Sequence, residues 1–226
     1  MNVLGIETAT TVCAAALVRE GRVVAESLLD AGRVHAEKLM GQIAAVLGPD
    51  GVESLGGVAV SIGPGSFTGL RIGVSVAKGI AFARNIPLVG VPTLEALALH
   101  AGEAGHLEAG SRLLAALDAR RDEVYCQLFD VTESGPVPLW DARDMTLGAL
   151  MEELHGSGAR VAGEAAAKVL SSPGAPASLR MVPEEALHCS GGSVALLGER
   201  LLLAGKADDP SALEPRYIKD FFLKSR

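Results

Sequence analysis

Ser61-Ile62-Gly63-Pro64-Gly65-Ser66-Phe67-Thr68-Gly69-Leu70-Arg71 joins a short apolar run, 57–62, to a long one, 67–84. The first run is apolar at successive positions, as in a strand covered on both faces. The second carries its apolar residues in helical rows. A strand, a glycine turn and a helix in that order place the chain in the α/β class. A helix N-terminus presents unpaired N–H groups, so such a turn can cradle an anion. The competing reading is a tight turn with close backbone packing. Ser66 or Thr68 is placed to cap the helix. This is not a Walker A loop: the G-x-x-x-x-G-K-[ST] spacing is absent and Lys78 lies far down the helix.

Gly69, Gly73 and Ala77 recur every four residues along that helix, with Leu70, Val74 and Ala81 beside them. Ile72, Val76, Ile80 and Ala83 form another apolar row. An interior glycine costs about 1 kcal/mol relative to alanine, so something packs close to this backbone. A helix apolar on two sides is covered on two sides. A sheet takes one; a further layer of this chain or a second protein takes the other.

Outward from this segment, strands are predicted at 3–7, 11–18 and 22–29, with Glu20-Gly21 as a tight turn. Three leading antiparallel strands exclude a simple Rossmann start. A helix is predicted over 34–47, with Leu39, Ile43, Val46 and Leu47 at helical spacing and Gly48-Pro49-Asp50-Gly51 as its stop. A strand at 88–91 leads into a helix from Thr93. The Gly-, Ala- and Glu-rich stretch 101–111 marks a boundary, dividing the chain into 1–101 and 102–226. Beyond it come strands at 113–117 and 123–130, then a looser Pro- and Gly-containing region with a helix at 147–154 and a loop at 171–178. A helix capped by Ser190 follows at 193–204, then an extended tail with Pro210 and Pro215. Two halves that each open with strands hint at a duplication.

The 226 residues are 49% hydrophobic but only 4% aromatic, so the core is aliphatic. Mean hydropathy is +0.32, yet no apolar run reaches the roughly 18 residues that cross a bilayer. The chain opens directly into a strand with no basic stretch before it, which predicts no cleaved leader. A net charge of −7 argues against tight, direct nucleic-acid binding, a local basic patch aside. Cys13, Cys126 and Cys189 stand apart, as buried small hydrophobes do in a reduced, cytoplasmic protein.

The segment from Gly63 to Gly73 resembles the signature of the bacterial TsaB family. Gly5-Ile6-Glu7-Thr8-Ala9-Thr10 resembles that family's first strand and turn. So do His35-Ala36-Glu37-Lys38-Leu39-Met40, Val91-Pro92-Thr93-Leu94-Glu95-Ala96-Leu97, Asp118-Ala119-Arg120-Arg121-Asp122-Glu123-Val124-Tyr125 and the closing Pro215-Arg216-Tyr217-Ile218. The match is dense in the N-terminal half and thin beyond it. Glu7 stands where Asp is common, and Gly41 where Pro is often seen. The resemblance implies an actin-like ATPase fold, shared with sugar kinases, with two related subdomains around mixed sheets. It implies partnership with a TsaD-type paralogue and a small TsaE-type ATPase. Together these transfer threonylcarbamoyl from threonylcarbamoyl-adenylate to the adenosine beside the anticodon of tRNAs reading codons that begin with A. TsaD-type proteins hold the metal and the active site; TsaB-type proteins scaffold them.

The residues favour the scaffold role. The paralogue's His-x-x-x-His metal positions match Thr93 and Leu97, and a leucine binds no metal. No two of His35, His100, His106, His155 and His188 are four residues apart. Where the paralogue has a Ser-Gly-Gly turn near the nucleotide phosphates, this chain has Asp118-Ala119-Arg120-Arg121. Asp118 repels phosphate, Arg120 and Arg121 attract it, and the freedom of glycine at φ > 0 is missing. A degenerate nucleotide site remains at Thr8, Thr10, Gly63, Gly65 and Ser66. No catalytic residue, metal ligand or cofactor is expected. The alternative is an independent enzyme, an ATP-dependent phosphotransferase or a metallopeptidase-like protein; a Ser-His-Asp hydrolase would need Ser66 beside His35 or His100.

His35, Leu39 and Ile43 of the first helix, with Gly69, Leu70, Gly73, Val74, Ala77 and Ala81 of the second, are expected to form half of a four-helix contact with the TsaD-type subunit. The same surface would make a homodimer of the isolated protein, with tRNA contacted mainly through the partner. On this reading an aspartate at Ala77 breaks the contact and spares the fold.

Overall fold

The computed structural model describes residues 1–30, 35–155 and 157–218. β1 (Asn2–Glu7), β2 (Val12–Arg19) and β3 (Arg22–Asp30) form an antiparallel meander. Glu20 and Gly21 both have positive φ, 52° and 73°, the geometry that suits a two-residue hairpin. β1 pairs in parallel with β4 (Gly57–Gly63), and β4 with β5 (Leu88–Pro92), giving the order β3-β2-β1-β4-β5. α1 (His35–Leu47) and α2 (Phe67–Arg84) cover one face. Leu39, Ile43, Val74, Ala77 and Ala81 pack there on Leu4, Ile6, Val58 and Val60. The expected stop after α1 is a 3₁₀ segment, Gly48–Ser54. Val34, expected to open α1, and the tail from 219 lie outside the described residues.

The second sheet comprises β6 (Arg112–Asp118), β7 (Glu123–Thr132), β8 (Gly135–Pro138), β9 (Arg143–Thr146), β10 (Arg160–Ala162) and β11 (Arg180–Met181). Its order is β11-β10-β6-β7-β8, with β9 also on β7. β6 pairs antiparallel with β7, and β7 with β8; β6 pairs in parallel with β10, and β10 with β11. Each sheet therefore has a central strand flanked by two antiparallel strands on one side and two parallel strands on the other. This repeated plan is the actin-like α/β fold. α4 (Leu147–Glu153) and α5 (Ala166–Leu170) cover one face, with Leu150, Met151 and Val169 against Leu114 and Val161.

Two helices cross between the halves. α3 (Thr93–Ala104), which follows the first sheet, sets Leu94, Leu97, Ala98 and Ala101 against Leu113, Ala115, Leu117 and Phe129 of the second. α6 (Gly191–Leu203), from the second half, packs on the first sheet, with Val194 among Val3, Ala59, Val89 and Val91. Ser190 caps α6, and its hydroxyl donates to Glu26 Oε1 on β3 at 2.9 Å, as does the Gly192 N–H at 3.1 Å. Position 101/102, expected as a boundary, lies inside α3, and each half lends one helix to the other's sheet. No helix among the described residues is long and apolar enough to cross a membrane.

Candidate functional site

α2 begins at Phe67, and Ser66 is its cap. The Ser66 Oγ accepts from the Gly69 N–H at 3.2 Å, and its carbonyl from the Leu70 N–H at 2.9 Å. The Ser66 N–H donates to the Ala9 carbonyl at 2.6 Å. The N–H groups of Ser66, Gly69 and Leu70 are therefore committed within the chain. The cause is the turn between β1 and β2, which lies in the glycine track. A Cβ at Gly65 would collide with the carbonyl of Ala9, one at Gly69 with the carbonyl of Thr8, and one at Gly73 with the Thr8 hydroxyl. That hydroxyl donates to the Gly69 carbonyl at 2.9 Å. Close backbone packing, rather than an open cradle, explains the glycines.

On the other side of the loop the tail passes over Gly63. The Arg216 N–H donates to the Ile62 carbonyl at 2.6 Å, and the Arg216 carbonyl abuts Gly63. Tyr217 stacks on Phe67 at 5.3 Å, and the Arg71 guanidinium lies 4.0 Å above the Phe67 ring. Of the five positions of the degenerate nucleotide site, Thr8, Thr10 and Gly63 are buried, Gly65 is half-buried and Ser66 is exposed. The fold brings them together and fills the space among them with its own backbone.

All nine positions expected to face a partner are buried inside this chain. This corrects the sequence reading. His35 Nε2 donates to the Thr10 carbonyl at 2.7 Å, and its ring edge would meet a Cβ at Gly69, so it props the turn from within. Its Nδ1 has no partner among the described residues. α2 carries two apolar rows, and periodicity alone does not say which one faces the sheet. The outward row is Ile72, Val76, Ile80 and Ala83, with Gly79 open beside it and Phe82 at 83% exposure. On α1 the outward residues include Met40, Gly41, Ala44 and Ala45.

The two positions that match the paralogue's metal ligands pack within the chain. The Thr93 Oγ1 accepts from the Gly63 N–H at 3.1 Å, which fixes the loop, and Leu97 is core. Neither candidate histidine serves Ser66: His35 is bound to Thr10, and His100 Nε2 lies 2.9 Å from the Glu185 carbonyl. Asp118 pairs with Lys168 at 2.7 Å, and Lys168 also donates to the Glu123 carbonyl at 2.8 Å. Arg120 and Arg121 have φ of 74° and 51°, so this turn takes the left-handed conformation without glycine, contrary to expectation.

The two halves meet at an acidic pair that the sequence did not mark. Glu7 at the end of β1 is fully buried. One oxygen accepts from the Ala9 N–H at 2.5 Å, and Oε2 has no partner among the described residues. Burial pushes its carboxyl up to about 7 against the opposing pull of its bonds to Ala9 and Ser61, with Glu164 adding repulsion. Glu164 sits between β10 and α5 and is itself raised by burial, while accepting N–H bonds from Asp118 and Thr11. The Cys189 thiol, held well above its usual range by burial, meets the Thr10 side chain at this joint. Two acids 157 residues apart in sequence leave no local pattern to read.

Residues 29–135 match a family model described as TsaD, tRNA N6-adenosine threonylcarbamoyltransferase. The chain is also 33% identical over 166 residues to the tRNA threonylcarbamoyladenosine biosynthesis protein TsaB of Escherichia coli K12, covering 73% of this chain and 69% of that protein. The chain belongs to the TsaB family. The protein of the same name from Haemophilus influenzae is 34% identical over 127 residues, which are 55% of this chain and about half, 52%, of that TsaB. The crystal structure of YeaZ from Pseudomonas aeruginosa superposes with a TM-score of 0.80 at 25% identity, covering 96% of this chain and 99% of that one. The likeness to YeaZ thus extends over both sheets, including the C-terminal half where the sequence motifs are thin.

Proposed function

We propose that this chain takes part in making threonylcarbamoyladenosine in tRNA, as a non-catalytic subunit that docks and activates a TsaD-type catalytic subunit together with a TsaE-type ATPase. The carrying observation concerns one helix. α2 commits its glycine-bearing side to this chain's own Thr8–Thr10 turn and leaves a second apolar row, Ile72, Val76 and Ile80, at the margin of the core, only half-buried. Burial of such surface returns about 25 cal/mol per Å², so a helix-on-helix contact using α1 and α2 is favourable. The partner's active site is then ordered by a shift in population. The same strip gives a homodimer when the chain is alone, and the partner carries most of the tRNA contact. Family membership supports the pathway, and the filled glycine loop supports the absence of turnover here.

The test is reconstitution. The tagged chain should retain a TsaD-type protein from its own lysate, and threonylcarbamoylation of unmodified tRNA should require both. Modification at the full rate by the TsaD- and TsaE-type proteins without this chain overturns the scaffold reading.

A further inference from the structure

We propose that the far edge of the second sheet carries a binding site for the phosphate backbone of RNA, built on Arg112, Arg160 and Arg180. The choice of RNA rests on the proposed role in tRNA modification; the anion site stands on geometry. Each arginine is the first residue of its strand, and β6, β10 and β11 are parallel neighbours. Arg160 and Arg180 are register partners, and Arg112 immediately precedes Leu113, the partner of Arg160 on β6. Three guanidinium-bearing positions thus gather at one end of three adjacent strands, across two inter-strand spacings, about 10 Å. They line a depression of about 460 Å³ together with Ser111, Ser157 and Ser178.

The local charge runs against the chain's net −7. Asp130 is 3.8 Å from Arg112, and no ion pair among the described residues engages Arg160 or Arg180. Arg180 Nη1 donates to the carbonyls of Ala177 and Leu179 at 2.5 and 2.8 Å, which holds that guanidinium in place. Arg112 Nη1 donates to Ser157 Oγ at 3.1 Å, leaving the Ser157 hydroxyl hydrogen for another acceptor. The Ser111 and Ser178 hydroxyls donate to the carbonyls of Glu108 and Ser157, so the donors offered to phosphate oxygens are the guanidinium forks and the Ser157 hydroxyl. A row about 10 Å long exceeds one phosphate group and suits successive phosphates of a strand. The other ends of β6 and β10 run to Asp118 and Gly163 at the joint between the halves, so this edge points away from it. A subunit docked on α1 and α2, which cover the first sheet, leaves the edge open.

The experiment measures binding of the full chain to labelled, unmodified tRNA by fluorescence anisotropy over a series of NaCl concentrations. Each phosphate contact contributes about −0.9 to the slope of log K against log salt on a duplex, and about −0.7 on a single strand. The double variant Arg160→Ala/Arg180→Ala should lose on the order of two from that slope and bind roughly tenfold or more weakly at low salt. Arg160→Lys/Arg180→Lys should keep most of the slope, because the charges remain. Both variants should melt with the wild type and still capture the TsaD-type subunit. No tRNA binding by the wild type, or an unchanged slope in the alanine variant, overturns the site. Saturable binding of inorganic phosphate without binding of tRNA overturns the RNA assignment. Failed partner capture alongside an arginine-dependent slope would sink the scaffold role and leave this site standing.

Discussion

The hydroxyl of Thr8 donates a 2.9 Å hydrogen bond to the carbonyl of Gly69, in the space that a side chain at Gly73 would occupy. Two segments that resemble family motifs thereby meet as one packing unit. Gly73→Ala recovers about 1 kcal/mol of helix propensity but forces its methyl onto Thr8 Oγ1, where overpacking costs about 1–3 kcal/mol and the hydrogen bond a further ~1. The net is a loss, read as a Tm lower by several degrees. Thr8→Ala removes the colliding oxygen, so the double variant should be more stable than the sum of the singles predicts. Strict additivity in a thermal-melt cycle would contradict this packing account.

The two apolar rows of α2 should separate cleanly under an aspartate scan. Ala77 is fully buried, so Ala77→Asp places an unpaired charge in the core and costs several kcal/mol. It should abolish folded protein rather than release a partner selectively, which reverses the expectation from sequence. Val76→Asp, one residue along on the outer row, should leave Tm within a few degrees of wild type and weaken capture of the TsaD-type subunit at least tenfold. Circular dichroism melts and pull-downs on the same preparations check both. Undiminished capture by Val76→Asp would remove α2 from the proposed interface.

Strong local patterns were legible and distant juxtapositions were not. The bounds of α2, 67–84, follow from sequence because strand, turn and helix signals agree there and Ser66 is a strong cap residue. β8 to β11 and α5 are two to five residues long, too short to display a period. The glycine spacing correctly announced a close approach, but not that Thr8 makes it. The crossing of α3 and α6, and the meeting of Glu7 with Glu164, depend on how the two sheets face each other, which no local window encodes.

The cysteines report the integrity of both cores. Burial raises the thiols of Cys13 and Cys189 and takes that of Cys126 up to about 12. A thiol both buried and protonated is a poor nucleophile. Native protein should therefore react with a thiol reagent orders of magnitude more slowly than unfolded protein, which should label at all 3 cysteines. Rapid labelling of one thiol in buffer, followed by peptide mapping, would locate an opening that the packing around these residues does not allow for.

Glu7 sets a stability slope opposite to that of a salt-bridged carboxylate. Its carboxyl titrates near 7 in the folded chain against an ordinary value of 4.5, because burial outweighs the bonds from Ala9 and Ser61 and Glu164 adds repulsion. Cys13 and Cys189 also sense its charge. Between those two values the native state keeps a proton that the unfolded chain releases, so stability falls as pH rises and levels off above about 7. The ceiling on that loss is about 3 kcal/mol. Glutamine is neutral throughout, and its carbonyl can still accept from the Ala9 N–H. Glu7→Gln should thus match the wild type near pH 5 and melt several degrees higher at pH 8. Relief of the raised Glu164 carboxyl acts in the same direction. Denaturant titrations at both values decide it: if wild type and Glu7→Gln keep one constant difference across the window, Glu7 is ionised in the folded joint at both pH values, and burial has not shifted it.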